Sequence, residues 1–276
     1  MHSFLSDDGE RLFVAVAGSG PPLIMLHEWA ADHSVWQPLV ERLSARFKVY
    51  YWDARGHGGH PCQGREPPTI QRMGRDLALM IDHFGLGRPA VVGHSMGALT
   101  TWEFAQQFGS GGIGRLCIID QSPRLMTGEG WDLGIYGDFS ADHSREFSHH
   151  LRRDFAETVL QLIAHGRNLR ARRLYEQNSL GFQRLREKLT RLDPVPLITC
   201  WESLVVRDYR ALQASIRIPV LLIFGAESNY YGTRTGEYLR DLLFDARLRV
   251  YEAADHSPYL AQRDRFVADL TAFLDE

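Results

Sequence analysis

The stretch Gly93-His94-Ser95-Met96-Gly97 constrains this chain more than any other. It follows an apolar run, Pro89-Ala90-Val91-Val92, that reads as a short buried strand. A stretch of helical character, Ala98 to Phe108, comes after it. A serine at such a strand-to-helix turn is held in strained backbone, and Cβ atoms two positions to either side would collide across it. The turn lifts the Ser95 hydroxyl clear of the sheet and aims N–H groups at the helix start toward any anion formed there. Those are the needs of a nucleophile. A Gly-rich turn with a buried serine is the bland alternative, and the flanking strand and helix favour the nucleophile.

The same rhythm surrounds the turn. Glu10 to Val16 alternates weakly, as an edge strand does, and Leu23 to His27 is a buried-strand run. Ser34 to Ala45 has a helical period, Phe47 to Trp52 is a strand closed by Asp53-Ala54-Arg55-Gly56-His57-Gly58, and Thr69 to Phe84 is an amphipathic helix. Ile113 to Ile119 is the next strand and ends at Asp120. Apolar rather than alternating strands, interleaved with helices, predict an α/β fold with a mainly parallel central sheet covered on both faces. From Gln121 to about Ser215 the strands stop and helical spacing takes over, at Leu151, Phe155, Val159, Leu162 and Ile163. The sheet pattern resumes with Ile218 to Gly225, a helix from Thr235 to Phe244, a strand from Leu248 to Glu252 and a helix from Asp264 to Leu274. The expected organisation is an α/β core from residues 1–120 and 216–276 with a helical cap, or lid, inserted at 121–215.

A net charge of −3 does not point to nucleic acid, and no apolar stretch is long enough to span a bilayer. The first residues carry neither a basic region nor an apolar one. Cys62, Cys117 and Cys200 are far apart and read as reduced thiols, so the expected compartment is the cytoplasm. No metal-ligand spacing, dinucleotide fingerprint or P-loop is present, and no cofactor or metal is implied. Oligomeric state is not encoded.

In chain order, His27 at a strand end, Asp53-x-Arg55-Gly56-His57-Gly58, the Ser95 turn and Asp255-His256-Ser257-Pro258 after the last strand resemble the capped, esterase-like α/β-hydrolases and their non-haem haloperoxidase-like group. That resemblance implies a Ser–His–acid triad, a two-donor oxyanion hole and a lid formed by the insert. The chemistry agrees. Serine needs a base within reach, and His256 lies after the last strand, on the sheet edge where parallel strands end. His27, His57 and the Asp53-Arg55 turn read as scaffold. The family's usual acid sits at G-x-x-D, where this chain has Gly225-Ala226-Glu227-Ser228. Asp120, on a rigid strand end, is preferred as the acid, with Glu227 the alternative. Met96 N–H is one expected oxyanion donor and Trp29 N–H the other, in His27-Glu28-Trp29 where the family commonly has His-Gly-x. Glu28 for glycine is a departure that would either strain the loop or place a carboxylate near the site. Trp131, Tyr136, Trp201, Tyr230 and Tyr231 are candidates for walls of an apolar pocket, or for packing of the cap onto the core. The cap arginines, Arg152, Arg170 and Arg186 among them, read as a solvated face with glutamate partners.

The function expected is a serine hydrolase that cleaves a small-molecule ester, thioester or lactone through an acyl-enzyme. One alternative keeps the fold. Asp120, Trp29-Ala30-Ala31-Asp32-His33 and Arg55-Gly56-His57-Gly58 are similar to cofactor-free ring-cleaving dioxygenases, in which the histidine deprotonates an aromatic hydroxyl. A non-enzymatic binding protein is the third reading, and the Ser95–His256 pair argues against it.

Overall fold

The computed structural model describes all residues, Met1–Glu276. One eight-stranded sheet runs through the molecule in the order β1-β2-β4-β3-β5-β6-β7-β8. Its strands are β1 (His2–Leu5), β2 (Arg11–Ala17), β3 (Pro22–Leu26), β4 (Lys48–Asp53), β5 (Ala90–His94), β6 (Arg115–Ile119), β7 (Val220–Gly225) and β8 (Ala246–Tyr251). All pairs from β4 to β8 are parallel, and β1 and β2 are antiparallel additions at one edge. β1 is absent from the sequence expectation, which placed the edge at β2. With four residues and only Phe4 buried, it is too short to show an alternating pattern, and its pairing with β2 makes it a strand.

Helices α1 (Gln37–Leu43) and α12 (Arg263–Asp275), with the short α11 (Pro258–Ala261), cover one face, α2 (Ile70–His83), α3 (Met96–Phe108) and α10 (Thr233–Leu242) the other. Successive strand residues alternate between the two layers. Leu221 and Ile223 join the cluster with α1 and α12, while Leu222 and Phe224 join the cluster with α2 and α3. Burial on both faces explains the unbroken apolar runs. Each buried Leu, Ile or Phe contributes roughly 1.5–3 kcal/mol.

Between β6 and β7 the chain leaves the sheet and forms six helices: α4 (Ala141–Arg153), α5 (Phe155–Ala164), α6 (Leu169–Glu176), α7 (Leu180–Thr190), α8 (Pro194–Val205) and α9 (Arg210–Gln213). The apolar spacing from Leu151 to Ile163 belongs to two of them. Asp154 separates α4 from α5 in extended backbone and caps α5, its carboxylate accepting from Glu157 N–H at 3.0 Å. Phe155, Leu160, Trp201 and Leu204 share one apolar cluster with the sheet and with α3, so these helices pack onto the core.

Strand order reverses between β3 and β5. β3 leads to β4 on one side, and β5 leads to β6, β7 and β8 on the other. Connections therefore diverge, and a crevice opens beyond the carboxyl ends of β3 and β5. The residues that follow β3, β5, β6, β7 and β8 meet there. No helix is long and apolar enough to cross a membrane.

Candidate active site

Ser95 follows β5 directly and starts α3. Its backbone has φ 52° and ψ −116°, a conformation that side-chain-bearing residues rarely adopt. Both glycines of the motif are required by close packing. A Cβ on Gly97 would stand 2.2 Å from the Leu26 carbonyl oxygen, and one on Gly93 2.7 Å from Ala98 Cα. The turn is closed by Ser95 N–H donating to Ile119 O at 3.2 Å and by Ala98 N–H donating to Ser95 O at 2.9 Å. Ser95 is half-buried and lines a cavity of about 750 Å³.

His256, on the loop after β8, lines the same cavity. Its Nδ1 lies 2.6 Å from Asp120 Oδ2, which makes Nδ1–H the donor and leaves Nε2 without a protein partner. Burial lowers the pKa of His256, and the Asp120 hydrogen bond opposes that shift. No hydrogen bond joins Ser95 Oγ to the imidazole; such contacts are often loose before substrate binds. Tyr230 packs edge-on against the imidazole with ring centres 4.4 Å apart.

Asp120 is fully buried at the end of β6 and has φ 45°. Both carboxylate oxygens are engaged. Oδ1 accepts from Gly225 N–H at 3.1 Å, and Oδ2 accepts from Ser228 Oγ at 2.5 Å as well as from His256. Ser228, at the position where an aspartate was the familiar residue, is thus turned onto the carboxylate that faces the imidazole. Its hydroxyl oxygen is held by the N–H groups of Tyr230 and Tyr231 at 3.2 and 3.3 Å. Glu227 makes no hydrogen bond to the imidazole; it is exposed, and its carbonyl accepts from Asn168 Nδ2 at 2.8 Å.

The loop after β3 is fixed by His27. Ala54 N–H donates to its Nε2 at 3.1 Å, so Nδ1 carries the proton and donates to Glu28 O at 2.7 Å. In a planar trans peptide the Trp29 N–H points opposite to the Glu28 carbonyl, so His27 sets its direction. Trp29 N–H has no protein acceptor, and Met96 N–H, the first of α3, has none within the helix. Trp29 Nε1 donates to Leu197 O at 2.8 Å and ties this loop to α8.

Trp29, Trp201, Tyr230 and Tyr231 line the cavity with Val159, Leu162 and other apolar side chains of α5 to α8. Trp131 and Tyr136 do not line it, which corrects their sequence assignment. Trp131 is buried against Tyr238, and its Nε1 donates to Arg124 O at 3.0 Å. Tyr136 turns its hydroxyl onto the Leu162 carbonyl. Arg170 and Lys188 bring positive charge to the cavity from α6 and α7, with Lys188 paired to Asp32 at 2.8 Å. Three residues that sequence reasoning left aside belong to the cluster: Ser228 on Asp120, Asn229 Oδ1 accepting from His256 N–H at 3.3 Å, and His94, whose Nε2 donates to His256 O at 2.8 Å. Of these only Ser228 left a trace in the sequence, as a departure from G-x-x-D.

The sequence model of the alpha/beta hydrolase family matches residues 13–270. The chain belongs to that family. This alpha/beta hydrolase is 28% identical over 276 residues to the pimeloyl-[acyl-carrier protein] methyl ester esterase of Chromobacterium violaceum, covering 96% of this chain and 98% of that one. It is 23% identical to 3-oxoadipate enol-lactonase 1 of Acinetobacter baylyi, over 99% and 97% of the two chains. An esterase from Exiguobacterium antarcticum has the same fold, with a TM-score of 0.85 at 18% identity and 99% of each chain covered. The sheet with helices on both faces is thus the α/β-hydrolase fold, and the chain is an esterase-like hydrolase.

Proposed function

We propose that this alpha/beta hydrolase cleaves a carboxylic ester, thioester or lactone through an acyl-enzyme on Ser95. The observation that carries the reading is the 2.6 Å contact of Asp120 Oδ2 with His256 Nδ1, in the cavity that Ser95 lines. With Nδ1–H held by Asp120, Nε2 is the nitrogen that takes the Ser95 proton during attack. Asp120 then stabilises the imidazolium, and the Trp29 and Met96 N–H groups receive the negative oxygen of the tetrahedral intermediate. The proton on Nε2 passes to the leaving alcohol, thiol or ring oxygen, and water activated by the same nitrogen releases the acid.

Helices α4 to α8 act as a cap that excludes water and selects the acyl group. A mostly apolar cavity of about 750 Å³, walled by Val159, Leu162, Leu174, Leu185, Leu189 and Leu204, suits a medium-sized apolar acyl or alkyl group. The similarity to a methyl ester esterase and to an enol-lactonase supports ester or lactone chemistry. A fluorophosphonate probe with peptide mapping, followed by a p-nitrophenyl ester series of increasing acyl length, tests the reading. Label on Ser95 alone, lost in His256→Ala, and turnover that peaks beyond acetate are expected. Label on another serine, or turnover undiminished in Ser95→Ala, would sink it. Oxygen uptake with a hydroxylated N-heteroaromatic and no ester turnover would support the dioxygenase alternative instead.

A further inference from the structure

Glu28 is an ionisable side chain in a mostly apolar cavity, and the reaction as derived gives it no part. Its Oε2 lies 3.2 Å from Nδ1 of His94, a fully buried residue. The other ring nitrogen of His94, Nε2, lies 2.8 Å from the main-chain oxygen of His256. A carbonyl oxygen only accepts, so Nε2 carries hydrogen. A neutral His94 would then turn the lone pair of Nδ1 toward a carboxylate. Acceptors on both nitrogens fit an imidazole protonated on both. Burial alone would raise the Glu28 carboxyl, but the charge of His94 and its hydrogen bond outweigh that effect and hold the pKa at about 2. Tyr259 Oη, 3.4 Å from Nδ1, is the one other polar side chain at that nitrogen.

We propose that Glu28 is a positioning residue for the base: it keeps His94 doubly protonated, so that His94 grips the His256 carbonyl and sets a positive charge beside the His256 ring. The proposal rests on His256 being the base. The two rings are 4.7 Å apart, close enough for the charge of one to act on the other. His256 is also faced by Asp120 from the end of β6, by Tyr230 and Tyr231 from the loop after β7, by Glu28 from the loop after β3, and by its neighbour Asp255. Of these, only His94 brings positive charge. It opposes protonation of the resting imidazole, which a general base requires, while Asp120 supports the imidazolium once the Ser95 proton has moved. The charge-assisted bond to the carbonyl also fixes the loop that carries His256.

Glu28→Gln separates charge from shape. The amide is isosteric, and its N–H donates to Nδ1 of a neutral His94, so the hydrogen-bonded chain survives without the charge. Nitrogen-15 NMR of the histidine side chains in the full-length protein at neutral pH reads the protons directly. Wild type is expected to show hydrogen on both nitrogens of His94, and Glu28→Gln hydrogen on Nε2 alone. With a p-nitrophenyl ester, the acid limb of kcat/KM in Glu28→Gln moves to higher pH, while kcat on the alkaline plateau and KM change little because the hydrogen-bonded chain survives. A bare Nδ1 on wild-type His94, or an acid limb in Glu28→Gln that overlays wild type, overturns the proposal. Failure of the base assignment shows separately, as ester turnover that survives His256→Ala.

Discussion

Asp120→Asn is the most decisive substitution, and the structure dictates which way the new amide must face. Oδ1 of Asp120 accepts a main-chain N–H from Gly225 at 3.1 Å. An amide nitrogen there would set donor against donor in a fully buried site, so the asparagine oxygen takes that position. The –NH₂ group then stands where Oδ2 was, facing Ser228 Oγ and His256 Nδ1. The Ser228 hydroxyl, whose oxygen already accepts from the Tyr230 and Tyr231 N–H groups, loses its acceptor and must turn its proton away. The imidazole can accept only by giving up the proton on Nδ1, which moves it to Nε2 and leaves no lone pair for the Ser95 hydroxyl. The fold is kept and the tautomer is wrong. The expected loss is roughly 10⁴-fold in kcat, or about 5.5 kcal/mol of transition-state stabilisation. Glu227→Gln, on an exposed side chain with no bond to the imidazole, should stay within about 0.5 kcal/mol, a change of about twofold. Initial rates with a chromogenic ester, on variants whose circular dichroism matches wild type, measure both. A fully active Asp120→Asn, or a larger loss in Glu227→Gln, refutes the assignment of the acid while leaving Ser95 and His256 untouched.

Other expectations follow from the same geometry. The acid limb of kcat/KM should have its midpoint below the ordinary histidine value of 6.5, because burial lowers His256 and the neutral form is the active one; a midpoint above 6.5 contradicts it. Gly97→Ala, with a Cβ 2.2 Å from the Leu26 carbonyl, should cost roughly 1–3 kcal/mol or more in urea unfolding and misplace Ser95, so activity falls with stability. Arg55→Ala removes the guanidinium bonded to Asp76 and Asp8 at 2.6 and 2.8 Å, leaving them Arg72 as their remaining cation in a buried cluster, and should cost roughly 3–5 kcal/mol. The hydrogen bonds from Arg55 hold the Asp8 carboxyl below its ordinary 3.8, so its stabilisation is complete above that pH and is lost as pH falls. The acid limb of stability should therefore be shallower in Arg55→Ala than in wild type, and an unchanged limb would count against the pairing.

The sequence by itself determined what depends on neighbours along the chain. Unbroken apolar runs at Leu23–Leu26, Val220–Phe224 and around Cys117 announce strands buried on both faces, because burial acts on each residue regardless of which helix supplies it. The strained turn at Ser95 is legible for the same reason: the glycines that permit it lie within two residues of the serine. Tertiary structure alone decided what depends on which strand ends come together. Asp120 and Ser228 are 108 residues apart, yet the pairing of β6 with β7 in the register Ile119↔Ile223 sets the end of one strand beside the loop of the other. Only that register turns Ser228 onto Asp120 and leaves Glu227 in solvent. β1 exists through its partner, and Trp131 and Tyr136 were drawn away from the cavity by acceptors at Arg124 and Leu162. The Glu28–His94–His256 chain joins the ends of β3, β5 and β8. A hydrogen bond requires two groups within about 3 Å, and where the polypeptide does not itself bring them there, only the packed sheet does.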